Sequence, residues 1–383
     1  MKVSHEFPIS FMERGRNLID YDFCLPHLLD RDERYLKYFL KSKQEGRYMI
    51  MDNSLHELKD ETGGKPYDAN RLWYWMNELE PDEFIVPDYW MDKTATLVAA
   101  KDWISRPFPE KTTPVAVVQA KNKIEAYECY HILKMQGYEK IAFSYGADWY
   151  ADEGNQNEPN IFKRKAEGRY NVIKEFYEKG LIRENDRIHL LGANIPQEFK
   201  LYTNMPFIET IDTSNPVIHG LAGIKYASYG LLDKLSTKVD KFEGDDTHWD
   251  LVLYNIEKFK SFTKKPEFNE DELWKIIESL EWEKDGDYER IEKYLELNYS
   301  KEEGDIIRDF ACEKVNDIQI KYESDWLENP GINVSDDGWS DLTTEVVGRG
   351  REFYENITVE QLRYMADNND YKENFLYSFH YLY

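Results

Sequence analysis

The stretch PVAVVQAKNKIEAYECYHILKMQGYEKIAFSYG, Pro114–Gly146, decides the fold. Its two ends, PVAVVQ (Pro114–Gln119) and KIAFSYG (Lys140–Gly146), are short apolar runs that close on a polar residue or a glycine. Between them Asn122 offers an N-cap for a helix over Lys123–Met135. Continuous apolar runs of this length suit strands covered on both faces, the condition of a parallel sheet. Strand, helix and strand then form a right-handed crossover unit.

The alternation extends in both directions. DFCLPHLL (Asp22–Leu29), RYMIMD (Arg47–Asp52) and EFIVPD (Glu83–Asp88) precede it, and RIHLLG (Arg187–Gly192) and FIETID (Phe207–Asp212) follow. Amphipathic stretches lie between: Arg31–Lys43 sets Tyr35, Leu36, Phe39 and Leu40 on one face, Ala69–Leu79 follows Asp68, and Lys93–Ile104 follows Asp92. Arg164–Lys179 stops at Gly180, and Val217–Leu235 closes the series. Seven strand candidates without an early glycine fingerprint favour an α/β fold of the (β/α)8 TIM-like barrel type over residues 1–239, rather than a doubly wound sheet. From Asp240 the texture changes: WDLVLYNIEKFKSF, EDELWKIIESLEW and DYERIEKYLELN carry apolar residues at helical spacing. Residues 240–383 are expected to form an acidic, mostly helical C-terminal domain or extension.

Composition narrows the function. With 41% hydrophobic and 15% aromatic residues the chain can bury a sizeable core. Its 49 basic and 74 acidic residues give a net charge of −25, which argues against a general nucleic-acid coating protein but leaves room for an enzyme with one local basic groove. No apolar run is long enough for a membrane helix, and the N-terminal residues lack the apolar core of a secretory signal. Cys24, Cys129 and Cys312 lie far apart without a CxxC pair, which speaks against a disulfide scaffold or a cysteine-rich zinc site; a cytoplasmic location and no metal are expected. His27 and His189 have no metal-ligand spacing and read as core or surface residues.

Strand ends carry the chemistry. Asp52, Asp88, Gln119, Gly146, Gly192 and Asp212 fall at or just past C-terminal strand ends, which converge on one mouth in a barrel. Asp52 and Asp212 are the catalytic candidates, because two carboxyls facing one pocket divide the work of nucleophile and general acid–base at a sugar anomeric carbon. Asp88 and Gln119 offer the acceptors and donors to read a guanine-like base edge. Tyr145, Trp149 and Tyr150 are candidates for stacking, and the basic run Lys163, Arg164, Lys165 and Arg169 is the candidate nucleic-acid contact.

Several of these segments, in the same order, resemble the tRNA-guanine transglycosylases. DNSLHE (Asp52–Glu57) resembles their Asp-Ser-Gly-Gly segment, VPDYW their base-reading aspartate, VVQAK their Val-Gln-Gly and KIAFSYG their Ala-Ile-Gly-Gly. HLLGANIPQE (His189–Glu198) is similar to their Tyr-Leu-Met-Gly-Val-Gly-x-Pro, and IDTSNP to their Phe-Asp-Cys-Val-x-Pro-Thr-Arg. The resemblance covers Asp22–Leu235 and implies a barrel that exchanges guanine for a 7-deazaguanine through a covalent sugar–enzyme intermediate. It implies Asp212 as nucleophile, Asp52 as general acid–base, and Asp88 and Gln119 as base readers. Tyr145 or Gly146 would supply a backbone donor, His56 would stack on the base opposite Leu191, and Gly192 would complete the pocket. The family's zinc site is missing, since Cys312 is the only cysteine after Cys129; the arginine after the nucleophile's proline is missing, since Val217 follows Pro216, and Ser54 and Leu55 replace two glycines. These departures point to the diverged branch that acts on DNA, found in phages and DNA-modification clusters. A purine or 7-deazapurine base and DNA rather than tRNA are then the expected partners, with no cofactor. The alternatives are a DNA glycosylase or nucleosidase that excises a base by hydrolysis on the same barrel, and a non-catalytic binding paralogue.

Overall fold

The computed structural model describes the chain apart from residues 228, 265–267, 283–285, 300, 328–330, 373–374 and 380–383, and gives residue 302 as backbone only. Two compact units divide it, Met1–Lys265 and Pro266–Tyr383.

The first unit is a nearly closed (β/α)8 barrel. Its strands are β1 (Lys2–Ser4), β2 (Asp22–Cys24), β3 (Met49–Met51), β4 (Glu83–Ile85), β5 (Thr113–Val118), β6 (Lys140–Ser144), β7 (Arg187–Leu191) and β8 (Ile208–Asp212). They run parallel in the order β1-β8-β7-β6-β5-β4-β3-β2. Seven are the runs read from the sequence. The eighth, β1, pairs with β8 so that Ser4 lies opposite Asp212. Asp20 spans the seam between β1 and β2: its N–H donates to the Val3 carbonyl at 2.8 Å, and its Oδ2 accepts from the Val3 N–H at 2.8 Å.

Three expectations change. DFCLPHLL leaves the sheet at Cys24, because Pro26 pre-sets the first turn of a helix, Pro26–Arg31. The helix expected over Val217–Leu235 is only Asn215–Leu221. Gly223 takes a left-handed φ of 77°, the Ile224 N–H returns to the His219 carbonyl at 2.8 Å, and the helix ends. The boundary expected at 239/240 falls at 265/266. The reason is the helix Trp249–Phe262, whose Trp249, Val252, Ile256 and Phe259 are buried in the barrel's own apolar core. It lies so close to Asn215–Leu221 that a Cβ on Gly220 would meet the Val252 backbone.

Side chains alternate between the barrel axis and the surrounding helices. Outward-facing Phe84 packs on Trp103 and Phe108, and Phe143 on Tyr130 and Phe176. Where the strands enter, the barrel is closed by charge. Lys140, fully buried, donates to Glu83 at 2.7 and 2.8 Å and pairs with Glu209 at 2.8 Å. Arg187 reaches Glu83 at 2.7 Å and Glu209 at 3.0 Å, and the Tyr48 hydroxyl donates to Glu83 at 2.7 Å.

The second unit is mostly helical over its described residues, the longest helix being Lys301–Leu327. Capping boxes at Asn269 and Thr358 start two of its helices. One apolar cluster gathers around Trp274, Trp282 and Leu295, another around Trp339, Leu342 and Leu362. Buried Glu345 accepts from Trp282 Nε1 at 2.8 Å and Arg349 Nε at 2.9 Å, so this carboxylate is satisfied within the unit.

Candidate active site at the barrel mouth

Asp212 is the last residue of β8 and is buried. Its Oδ1 accepts from His189 Nε2 at 3.1 Å and from the Gly192 N–H at 3.4 Å. The carboxylate fixes the histidine tautomer: with Nε2 donating, Nδ1 accepts from the Thr210 hydroxyl at 2.8 Å. The His189 ring is stacked on Phe23 inside the barrel. Both bonds fall on one oxygen, and no protein donor among the described residues reaches Oδ2.

Asp52 follows β3 and is also buried. Asp52 Oδ2 accepts from the Ser54 N–H at 2.9 Å and Asn53 Oδ1 from the Leu55 N–H at 2.9 Å, so the two side chains organise the turn into the helix Leu55–Thr62. Ser54 holds a left-handed φ of 61° in that turn, and its Oγ lies 2.8 Å from His27 Nδ1. Burial pushes the Asp52 carboxyl well above its ordinary range; the charges of Glu57 and Asp212 add to this, and the Ser54 N–H opposes it.

Two further carboxyls share this field. Glu6 lies two residues past β1 and Glu57 in the first turn of the helix after Asp52. Burial, then the charges of Asp212 and Asp52, push Glu6 up to about 8, with Lys234 opposing. Burial, then Glu6, push Glu57 up to about 8, with Asp212 adding and Lys238 opposing. Glu57 Oε2 is buried without a hydrogen-bond partner, as is Ser4 Oγ beside Asp212 in the ladder. Among the described residues no group of three or more His, Cys, Asp or Glu is arranged to hold a metal ion.

Asp88 and Gln119 meet at the mouth, but through each other. Gln119 Nε2 donates to Asp88 Oδ2 at 2.6 Å, and Asn53 Nδ2 donates to Asp88 Oδ1 at 2.7 Å. Gln119 Oε1 accepts from the Met91 N–H at 2.9 Å. All three side chains are buried. Burial pushes Asp88 up to about 6 against these two donors.

An aromatic group gathers around His56. His56 lies between Trp90 and Tyr145, at ring separations of 5.9 and 5.3 Å, and its Nε2 accepts from the Tyr145 hydroxyl at 3.0 Å. Burial holds His56 down to about 3, helped by Lys59, Lys234 and Lys238, so it is neutral and can accept that bond. The backbone donors expected to meet a base are engaged: the Tyr145 N–H binds the Leu191 carbonyl at 2.9 Å, and the Gly146 N–H binds Ser144 Oγ at 3.3 Å. Gly192 and Gly146 serve by lacking side chains, since a Cβ on either would strike the ring of Tyr145 or Trp90 respectively. Leu191 lies beside Asp212 in the ladder.

The expected basic contact divides. Arg169 is fully buried: its Nε donates to Glu198 at 2.6 Å, and its NH groups bind the carbonyls of Phe143, Leu191 and Gly192. It ties the ends of β6 and β7 to the helix Ile161–Glu178 and cannot face a phosphate, because the inward stripe of that helix carries it. Lys163 pairs with Glu158 at 2.8 Å and Lys165 with Asp148 at 2.5 Å, while Arg164 is partly buried. Trp149 and Tyr150 are core residues, Trp149 Nε1 donating to the Ala120 carbonyl at 2.8 Å.

Sequence reasoning missed Glu6, Glu57, Asn53, Trp90 and Lys234, and assigned His189 no role at the site. The alternation of RIHLLG carried a signal for His189, since it sets Arg187, His189 and Leu191 on one face. Residues 268–382, in the second unit, match a family model described as a protein of unknown function (DUF4240). No curated protein matches the chain.

Proposed function

We propose that the barrel breaks and remakes the N-glycosidic bond of a nucleoside within a nucleic acid, exchanging guanine for a 7-deazaguanine derivative, with DNA as the substrate. The observation that carries this reading is the opposed setting of two carboxyls at one mouth: Asp212 keeps Oδ2 free of protein donors, while burial and neighbouring charge favour the protonated form of Asp52. Asp212 Oδ2 attacks C1′ as the bond from C1′ to the base nitrogen breaks, and Asp52 gives its proton to the departing base. The incoming base then loses its ring N–H proton to Asp52, forms the new bond to C1′ and releases Asp212. His189 and the Gly192 N–H hold Asp212 in place through Oδ1. Asp88, Asn53 and Gln119 open their mutual bonds to read the base edge.

Two features support the family reading beyond motif order. Ser54 stands where the transglycosylases carry a glycine and adopts the left-handed φ that glycine takes without strain. The Asp88–Gln119 pair brings the ends of β4 and β5 together as a base-reading edge.

Hydrolysis is the second reading, favoured by Glu6 and Glu57, which could activate a water against the same intermediate. The test is incubation with guanine-containing DNA, tRNA and free nucleosides, with released and incorporated bases followed by mass spectrometry. Exchange incorporates a supplied 7-deazaguanine, and hydrolysis releases guanine without incorporation. Asp212→Asn should abolish either product and any covalent sugar adduct. Undiminished activity in that variant would overturn both readings.

A further inference from the structure

We propose that Lys59, Lys234 and Lys238 form a phosphodiester-binding arc over the barrel mouth, holding the backbone on either side of the nucleoside that meets Asp212. The inference rests on the reading of Asp212 and Asp52 above and identifies the surface that carries the polynucleotide.

The first argument is pairing. Most cations of this unit lie against a carboxylate, including Lys163 and Lys165 at the start of their helix. None of Lys59, Lys234 and Lys238 has a carboxylate oxygen within 4.0 Å among the described residues. In a chain of net charge −25, cations left unpaired together at one mouth are where an anion can be held.

The second argument is geometry. Lys59 Nζ lies 4.2 Å from the centroid of the Trp90 ring and Lys234 Nζ 3.6 Å from that of Tyr145, with His56 between the two rings. Lys234 Nζ also donates to the Ala193 carbonyl at 2.6 Å. The arc therefore joins the segments that follow β3, β4, β6, β7 and β8, all at the end of the barrel that holds Asp52 and Asp212. Lys238 is close enough to influence both His56 and Glu57. Lysines act as flexible point charges toward phosphate, and the aromatic faces between them suit an unstacked base or sugar.

The third argument is compatibility with the acidic well beneath. Glu6, Glu57 and Asp52 are all pushed toward their neutral forms, so the well carries less negative charge near neutral pH than its four carboxyls suggest. Burial pushes Lys234 down to about 7, so near neutral pH a phosphate at the rim meets Lys59, Lys238 and part of the charge of Lys234 rather than a full set of anions.

The test is fluorescence anisotropy of the full chain with a labelled single-stranded DNA carrying a central guanosine, and with RNA of the same sequence, across a salt series. Replacing Lys59, Lys234 and Lys238 by Ala should weaken binding roughly tenfold or more and reduce the salt slope by about 2, since each single-strand phosphate contact contributes about 0.7. A control that removes the same charge at the opposite end of the barrel, Lys101→Ala with Lys111→Ala and Arg183→Ala, should leave the slope intact. Lys238→Glu alone, at an exposed position, should lower the slope even if the triple variant folds poorly. Wild-type binding that survives the arc variants unchanged would overturn this proposal and leave the chemistry at Asp212 standing. A wild-type chain that binds neither DNA nor RNA would overturn the base-exchange reading itself.

Discussion

The two ends of the barrel both bury charge, and they treat it in opposite ways. At the floor, where the strands enter, Lys140 and Arg187 each contact Glu83 and Glu209. Burial raises the Glu209 carboxyl, but the hydrogen bond and charge of Lys140 and the charge of Arg187 outweigh it, so Glu209 sits below its ordinary range. At the mouth, Asp52, Glu6 and Glu57 feel one another's charge and that of Asp212, with Lys234 opposing at Glu6 and Lys238 at Glu57, and all three are pushed up. Floor charges meet partners of opposite sign at hydrogen-bond distance, which is the arrangement of a structural plug. Among the described residues no lysine or arginine pairs directly with these mouth carboxyls, an arrangement that costs stability and occurs where proton transfer is needed.

The contrast breaks most directly at Asp52. On the proposed chemistry, Asp52→Asn removes acid–base assistance worth typically ~10²–10⁴-fold in rate. The wild-type rate should fall with rising pH as Asp52 gives up its proton, and the variant should lose that limb. Single-turnover rates across a pH series check this, and an unaltered profile would remove Asp52 from the mechanism. Because Asn keeps an oxygen that can accept from the Ser54 N–H and removes a buried charge, the variant should not lower the unfolding free energy.

At the floor the expectation reverses. Lys140→Met removes one cation and leaves buried Glu83 and half-buried Glu209 with Arg187 as their remaining cation. Breaking a buried pair by deleting one partner typically costs about 3–5 kcal/mol, and the remaining arginine places this case toward the lower end. Urea unfolding followed by circular dichroism measures it. A loss below about 1 kcal/mol would mean that Arg187 neutralises both carboxylates unaided, and the floor would not be the interlocked network described here.

Much of this contrast was legible in the sequence, for a physical reason. Buried parallel strands need unbroken apolar runs, so MIM and VAVV stood out, while IETID was read from its place in the series, and the polar residue ending each run marked the mouth. Asp52, Asp88, Gln119 and Asp212 were found in this way. The short strand KVS gave too little signal, and with it Glu6 went unseen. Glu57 lies in the first turn of a helix, where an acidic residue is ordinary, so its local sequence gave no sign of its setting. Lys140, Glu83 and Arg187 begin their strands, and only the register of β4, β6 and β7 brings them together. Arg169 was misread because the basic run was counted as one patch, whereas helical periodicity turns Arg169 inward and leaves Lys163 exposed.

The smallest expected effect sharpens the comparison from the side of stability. Glu57 is pushed up to about 8 in the folded chain, chiefly by burial and by Glu6, against an ordinary value of 4.5. A carboxyl whose folded value is raised favours the folded state fully below about 4.5, and that benefit is lost as pH rises toward 8. Above that range the folded chain must keep the carboxylate charged beside Glu6 and Asp212. Glu57→Gln keeps the shape and never carries the charge. Relative to wild type, the variant should therefore gain little in melting temperature at pH 5 and the most at pH 8, where a gain of about 1 kcal/mol would raise the midpoint by roughly 2–4 °C. Thermal melts at the two pH values read the difference directly. A variant that melts below wild type at pH 8 would mean that Glu57 is paired in the folded chain, and the mouth would then resemble the floor.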